Sequence, residues 1–208
     1  LVDDEGSIMM TISKIEPRIG NAPMFNGTNP VTGQYVDLLD EEYYRISHVD
    51  QMPPFFMSLV SSTDHWLFIS SKGGLTAGRV NANSALFPYE TVDKIEAYGE
   101  QTGGKTILRV NRIGRVQLWE PFSERYAGLY RCERNLYKNI PGTTLIFEEI
   151  NLSLELFMRY VWRTGNRFGF IKTAWLREIS HSKKPCHVEM LDGFQNILPA
   201  NVTSLTQN

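Results

Sequence analysis

The sequence predicts an all-β protein: a large antiparallel two-sheet sandwich with few or no long helices. Three observations carry this expectation. The run Ser153–Thr164 alternates, with Leu154, Leu156, Met158, Tyr160 and Trp162 on one side and Ser153, Glu155, Arg159 and Arg163 on the other. Phe157 and Val161 are exceptions to a period of two, which is the pattern of a half-buried strand. This run sits between two other extended runs, Thr143–Asn151 and Arg167–Ser180, and Pro185–Leu191 follows. The turns between them are too short for the crossover helices that parallel strands need, so the pairing is antiparallel. Ser153–Thr164 and Arg167–Ser180 have 12 and 14 residues. At ~3.4 Å per residue they exceed ~40 Å, well past the usual strand, and suit a curved sandwich better than a compact immunoglobulin-like domain.

Taken in order, residues 1–54 read as an irregular N-terminal extension packed on the sandwich, punctuated by Pro17, Gly20, Pro23, Gly27, Pro30 and Gly33. Within it Tyr35–Tyr44 mixes Asp37, Asp40, Glu41 and Glu42 with apolar residues, and reads as an extended connection or one short helix. Residues 55–208 read as the sandwich, one structural unit with 1–54. Pro53-Pro54 opens a strand at Phe55–Ser61, Ser61–Asp64 forms a hairpin turn, and His65–Ser70 returns. Gly73–Asp93 is rich in glycine and asparagine and lacks periodicity. A loop that long in a compact domain is functional or packed on itself. Thr106–Val110 and Arg115–Trp119 form a hairpin around Asn111–Gly114, and Gly128–Tyr137 is a longer strand. About nine strands follow Phe55, with no clear helix.

Hydrophobic residues make up 42% and aromatic residues 12% of the 208 positions, ample for a sheet core. A net charge of -2 gives no global attraction to nucleic acid or to anionic membranes. No apolar run approaches the ~20 residues of a membrane helix, and the acidic start Leu1–Glu5 shows no signal peptide. The expectation is a cytoplasmic protein with no nucleic-acid or membrane partner. Cys132 and Cys186 read as reduced core thiols, with a single disulfide as the alternative. His48, His65, His181 and His187 are scattered, so no zinc spacing, metal site or cofactor is expected.

Several patterns invite chemistry. Gly73-Gly74-Leu75-Thr76-Ala77-Gly78-Arg79 departs from a phosphate loop, which needs Gly-Lys-Ser/Thr leading into a helix. Its glycines read instead as positive-φ positions in a loop. Arg79, Asn81, Asn83 and Tyr89 gather a guanidinium, two amides and a ring in one stretch. Such groups bind sugars, through hydroxyls and the apolar sugar face, so these four are the candidate substrate-binding residues. The competing reading pairs Arg79 with a carboxylate such as Asp93, holding the loop shut. No catalytic residue is assigned. Glu148 and Glu149 are adjacent, so a strand sends them to opposite faces and they cannot serve as a glycosidase pair. No Gly-x-Ser-x-Gly elbow supports a triad from His65 and Asp64. Three sequons, at Asn26, Asn151 and Asn201, matter only in a secreted setting. The stretch holding Arg125, Tyr126, Tyr130, Arg131, Arg134 and Tyr137 reads as a salt-bridged strand face rather than a nucleic-acid surface, because Glu124 and Glu133 interrupt it.

The order of His65-Trp66-Leu67-Phe68-Ile69-Ser70, Gly73-Gly74, Asn83-Ser84-Ala85-Leu86-Phe87-Pro88-Tyr89, Phe168-Gly169-Phe170-Ile171-Lys172-Thr173 and Leu191–Pro199 resembles a known domain. It is similar, over roughly residues 55–200, to the N-terminal β-supersandwich of cellobiose-phosphorylase-like and glucoamylase-like enzymes, a galactose-mutarotase-like architecture. The resemblance implies a non-catalytic domain of a larger glycoside hydrolase or glycoside phosphorylase. It would pack on an (α/α)6 barrel that carries the catalytic acid, with a possible homodimer, and lend a loop, Gly73–Tyr89, to the rim of an oligosaccharide site. The ending soon after Pro199 then reads as a domain border, and a sheet face made to rest on the barrel would expose apolar surface and favour self-association. Two alternatives stand beside this: an autonomous carbohydrate-binding module, which needs exposed aromatic residues where Trp66, Trp119, Trp162 and Trp175 read as mostly buried, and a mutarotase-like sugar epimerase, which needs a His and a Glu in one cleft.

Overall fold

The computed structural model describes residues 18–19, 22–25, 29–89, 92–95, 100–125, 127–167, 169–180 and 185–207. The sequon at Asn26, the side chain of Asp93, and Tyr126, Phe168 and His181 lie outside the described residues, as do residues 1–17 of the N-terminal extension.

The chain is all-β. Its strands are β1 (Arg18–Ile19), β2 (Ala22–Pro23), β3 (Thr32–Leu38), β4 (Glu41–Ser47), β5 (Phe56–Leu59), β6 (His65–Ser70) and β7 (Leu75–Arg79). They continue with β8 (Gly103–Arg112), β9 (Arg115–Trp119), β10 (Cys132–Asn139), β11 (Thr144–Asn151), β12 (Leu156–Gly165), β13 (Gly169–Glu178) and β14 (Cys186–Gln195). Every pairing is antiparallel. A six-stranded sheet runs β13-β12-β11-β10-β4-β3, two three-stranded sheets run β14-β8-β9 and β5-β6-β7, and β1-β2 is a short ribbon. Among the described residues the only α-helix is the four-residue Val92–Ile95. No helix there is long and apolar enough to cross a membrane.

The alternation in β12 determines how the sheets meet. Leu156, Met158, Tyr160 and Trp162 join Leu136, Leu145 and Phe147 of the neighbouring strands in one buried cluster. Leu59, Leu67, Ile69 and Leu75 of β5-β6-β7 belong to the same cluster, and so do Leu108, Val110 and Trp119 of β8-β9. Both smaller sheets therefore cover this inner face. The two exceptions to the alternation are explained by the opposite face. Val161 packs with Tyr43, Tyr137 and Ile146 in a second cluster edged by Val36, Leu38 and Leu39. Phe157 lies under the guanidinium groups of Arg159 and Arg177, 5.0 Å and 4.9 Å from its ring centre. β12 is thus buried on both faces for most of its length.

Several expectations need correction. Tyr35–Tyr44 is not a helix, and its extended residues are not a mere connection but belong to the β3–β4 hairpin, turned by Leu39 and Asp40, which take left-handed φ values of 53° and 62°. A two-residue turn of that hand matches the twist of its strands. Within Gly73–Asp93, Leu75–Arg79 is strand β7, so ten strands rather than nine lie beyond Phe55. Gly78 is the reason the pattern is hard to read. A Cβ there would stand 2.6 Å from Trp66 Cζ2, 2.7 Å from Ala85 Cα and 2.8 Å from the Ser84 carbonyl oxygen. The long runs are also shorter than expected. Asn151 Oδ1 accepts from the amides of Ser153 and Leu154 (3.1 and 2.9 Å), forming a turn that delays β12 until Leu156. β12 and β13 each have 10 residues. Trp119 and Trp162 are buried as expected, whereas Trp175 on the outer face of β13 is 44% exposed.

Candidate functional site

The β6–β7 register sets His65 directly opposite Arg79. Asp64, one residue before β6, then meets the arginine: Arg79 Nε donates to both carboxylate oxygens of Asp64 at 3.0 Å. Asp64 is thus a carboxylate partner of Arg79, while the side chain of Asp93 lies outside the described residues. Nη1 and Nη2 of Arg79 donate no hydrogen bond among the described residues, and the side chain is 65% exposed. His65 Nδ1 and Thr63 Oγ1 share a hydrogen bond of 2.7 Å. The imidazole ring stands edge-on to Phe170, with centroids 5.9 Å apart. It also packs so closely on Gly169 that a Cβ there would lie 2.6 Å from its Cδ2.

His65, Arg79 and Phe170 line a cleft of about 530 Å³, within the range of ligand sites. One wall is Gly78–Arg79 and Asn83–Leu86, another is His65 with Phe170, and the third is the segment Leu198–Val202 after β14. That segment is strapped across the loop. The Leu198 amide donates to the Leu86 carbonyl (2.9 Å), and Asn83 Oδ1 accepts from both the amide and the hydroxyl of Ser204 (3.0 and 2.7 Å). Gln207 closes it further, donating to the Ala82 carbonyl (3.2 Å) and accepting from the Tyr89 amide (2.8 Å).

The four sequence candidates thus divide. Arg79 and Asn83 line the cleft. Asn81 does not; its Oδ1 accepts from the Asn83 amide (3.0 Å) and starts the 3-10 turn Ala82–Ser84. Tyr89 stands outside the lining, its ring edge-on to Trp66 at 5.8 Å. His65, Phe170 and Leu198–Val202 were missing from the candidate set. The β6–β7 pairing and the return of the tail over 100 residues from the loop bring them in, and neither leaves a local sequence signal.

Glu148 and Glu149 are each held by an arginine. Glu148 faces outward, where Arg159 donates through Nε and Nη2 (3.2 and 2.8 Å) and Tyr137 and Asn135 add bonds of 2.9 and 3.0 Å. Burial, helped by Glu148, pushes the Tyr137 phenol up to about 12. Glu149 faces the core and accepts from Trp119 Nε1 (2.9 Å), the Phe122 amide (2.7 Å) and Arg134 Nε (2.7 Å). Burial, with Glu149 adding to it, raises the Cys132 thiol pKa. Cys132 and Cys186 are both unpaired. Gly73 takes a positive φ of 90° in the β6–β7 turn, and a strand follows it rather than the helix a phosphate loop requires. A second space of about 30 Å³, beside Tyr160 and Trp162, has room for a water or two but not a sugar. Among the described residues no group of His, Cys, Asp and Glu is placed to hold a metal ion. Among the described residues none of the cleft-lining side chains is acidic, so none of them supplies the Glu that a mutarotase-like pair with His65 needs. No protein-family model matches the sequence, and comparison with curated proteins finds no match.

Proposed function

We propose that this chain is a non-catalytic supersandwich domain of a carbohydrate-active enzyme, with the His65–Arg79–Asn83–Phe170 cleft as its saccharide contact. The cleft is the observation that carries the reading. It combines a guanidinium, an amide, an imidazole and an aromatic ring, the set that meets sugar hydroxyls and an apolar sugar face. A catalytic role is disfavoured because Glu148 and Glu149, the buried glutamates among the described residues, are each held by an arginine on opposite sides of one sheet. The (α/α)6 barrel of a glycoside hydrolase or phosphorylase, or a second copy of the chain, is the proposed neighbour. Support comes from the outer face of β14-β8-β9, where Leu191, Leu118 and Val116 flank an Arg109–Glu189 pair. Leu191 is 69% exposed and Leu118 57%, an apolar surface of the kind that a partner covers. The two unpaired thiols fit a cytoplasmic setting.

Amide chemical-shift mapping with a panel of neutral and acidic oligosaccharides tests this reading. Perturbations are expected at Gly78–Leu86, Phe170 and Leu198–Val202, with no hydrolysis, phosphorolysis or anomerisation over the titration. Shifts confined to other surfaces, or product released by the chain alone, would overturn it. An autonomous binding module is distinguished by micromolar binding without any partner domain.

A further inference from the structure

The charge lining the cleft narrows the class of sugar. Among the described residues its only ionisable side chains are Arg79 and His65, and the remaining polar ones are Asn83, Ser84 and Asn201. Asp64 lies behind Arg79, outside that lining, and both of its oxygens already accept from Arg79 Nε. That bond does two things. It fixes the plane of the guanidinium from behind, and it leaves the opposite edge, Nη1 and Nη2, without a protein acceptor among the described residues. Two parallel N–H groups on a fixed plane match the two oxygens of a carboxylate, and such bidentate contacts are shorter and stronger than neutral ones. A neutral hydroxyl uses only one of them.

We propose that the cleft takes a uronate-containing glycan, with the sugar carboxylate seated on the Nη1/Nη2 edge of Arg79. This rests on the saccharide reading above and specifies its ligand. Phe170 then supplies the apolar contact for the sugar face, while Asn83 and Asn201 flank the hydroxyls. A lysine cannot substitute at position 79, because an ammonium offers a point charge in place of the fork and cannot bond Asp64 and a ligand in one plane.

Isothermal titration with oligogalacturonate, oligoglucuronate and oligomannuronate trimers, each beside its carboxyl-reduced neutral counterpart and beside inorganic phosphate, tests the proposal. At least one acidic trimer should bind about tenfold or more tighter than its neutral counterpart, the worth of one charge-assisted contact. Arg79→Lys and Arg79→Met should bring the pair to within about twofold of each other while leaving the melting temperature of the chain unchanged. The exposed position of Arg79 makes both variants foldable. Equal binding of acidic and neutral trimers would overturn the uronate proposal and leave the saccharide site standing. Binding of phosphate as tight as the best uronate would also overturn it, marking a general anion site. Failure of every sugar to bind would remove the saccharide reading itself.

Discussion

Glu148 and Glu149 are neighbours on β11, yet they sit on opposite faces of the six-stranded sheet, each bound to its own arginine. Glu149 is 2% exposed and receives Arg134, the Trp119 indole and the Phe122 amide. Arg134 also donates through Nη2 to the Ser123 carbonyl (2.7 Å). The carboxylate therefore ties β9, the segment after it and β10 to β11. Removing one partner of a buried pair leaves an uncompensated charge and costs about 3–5 kcal/mol. For a domain of this size that is a fall in melting temperature of about 10 °C. Glu149→Ala should show it in scanning calorimetry, and Glu149→Leu combined with Arg134→Met should recover part of the loss. A Glu149→Ala fall of less than about 2 °C would contradict the ion-pair account.

Glu100 predicts an acid-sensitive element. Burial opposes its ionisation, but hydrogen bonds from Lys105, from the Ser123 hydroxyl and from the Glu124 amide outweigh burial and hold the carboxyl at about 2. Its folded pKa lies below the ordinary 4.5, so the unfolded chain binds the proton more readily than the native one. The stability it contributes is complete above the ordinary value and is lost as pH falls from 4.5 towards 2. Melting temperatures at pH 7, 4.5, 3 and 2 should show wild type ahead of Glu100→Gln at pH 7, with the gap closing by pH 2. A gap that stays constant with pH would refute the assignment.

The overall class was legible because it is written locally. β12 alternates, and Glu148 and Glu149 fall on opposite faces as the strand period requires. Features set by distant contacts were not legible. Phe157 and Val161 break the alternation because the outer face carries its own cover, from Arg159 and Arg177 over one and the Tyr43–Tyr137–Ile146 cluster over the other. The charges at Asp37, Asp40, Glu41 and Glu42 obscured a hairpin whose turn relies on two non-glycine left-handed residues. Of the four candidates Arg79 and Asn83 line the cleft, and they could be singled out because guanidinium and amide chemistry is visible in any sequence. His65 and the Leu198–Val202 wall depend on register and on a strap closed over long range, so composition cannot reveal them.

Gly78 gives the sharpest local test of how the cleft wall is built. The chain doubles back so that Gly78 bridges Ala85, and the Trp66 ring lies against the same spot. Any Cβ at position 78 meets two backbone atoms and an indole inside van der Waals contact. Backbone cannot yield as a side-chain tip can, so Gly78→Ala should cost about 1–3 kcal/mol through overpacking. The strain falls on Trp66 first, and the Trp66–Tyr89 edge contact goes with it. The expected signature is a shifted tryptophan emission maximum and a melting temperature lower by several degrees. The cleft should also weaken, since Gly78 and Ala85 are both in its wall. Gly73→Ala is the control: its turn has open space around the missing Cβ, so only its positive φ is strained and the emission maximum should stay put. Equal emission shifts in the two variants would mean that close packing at Gly78 is not what holds the wall in place.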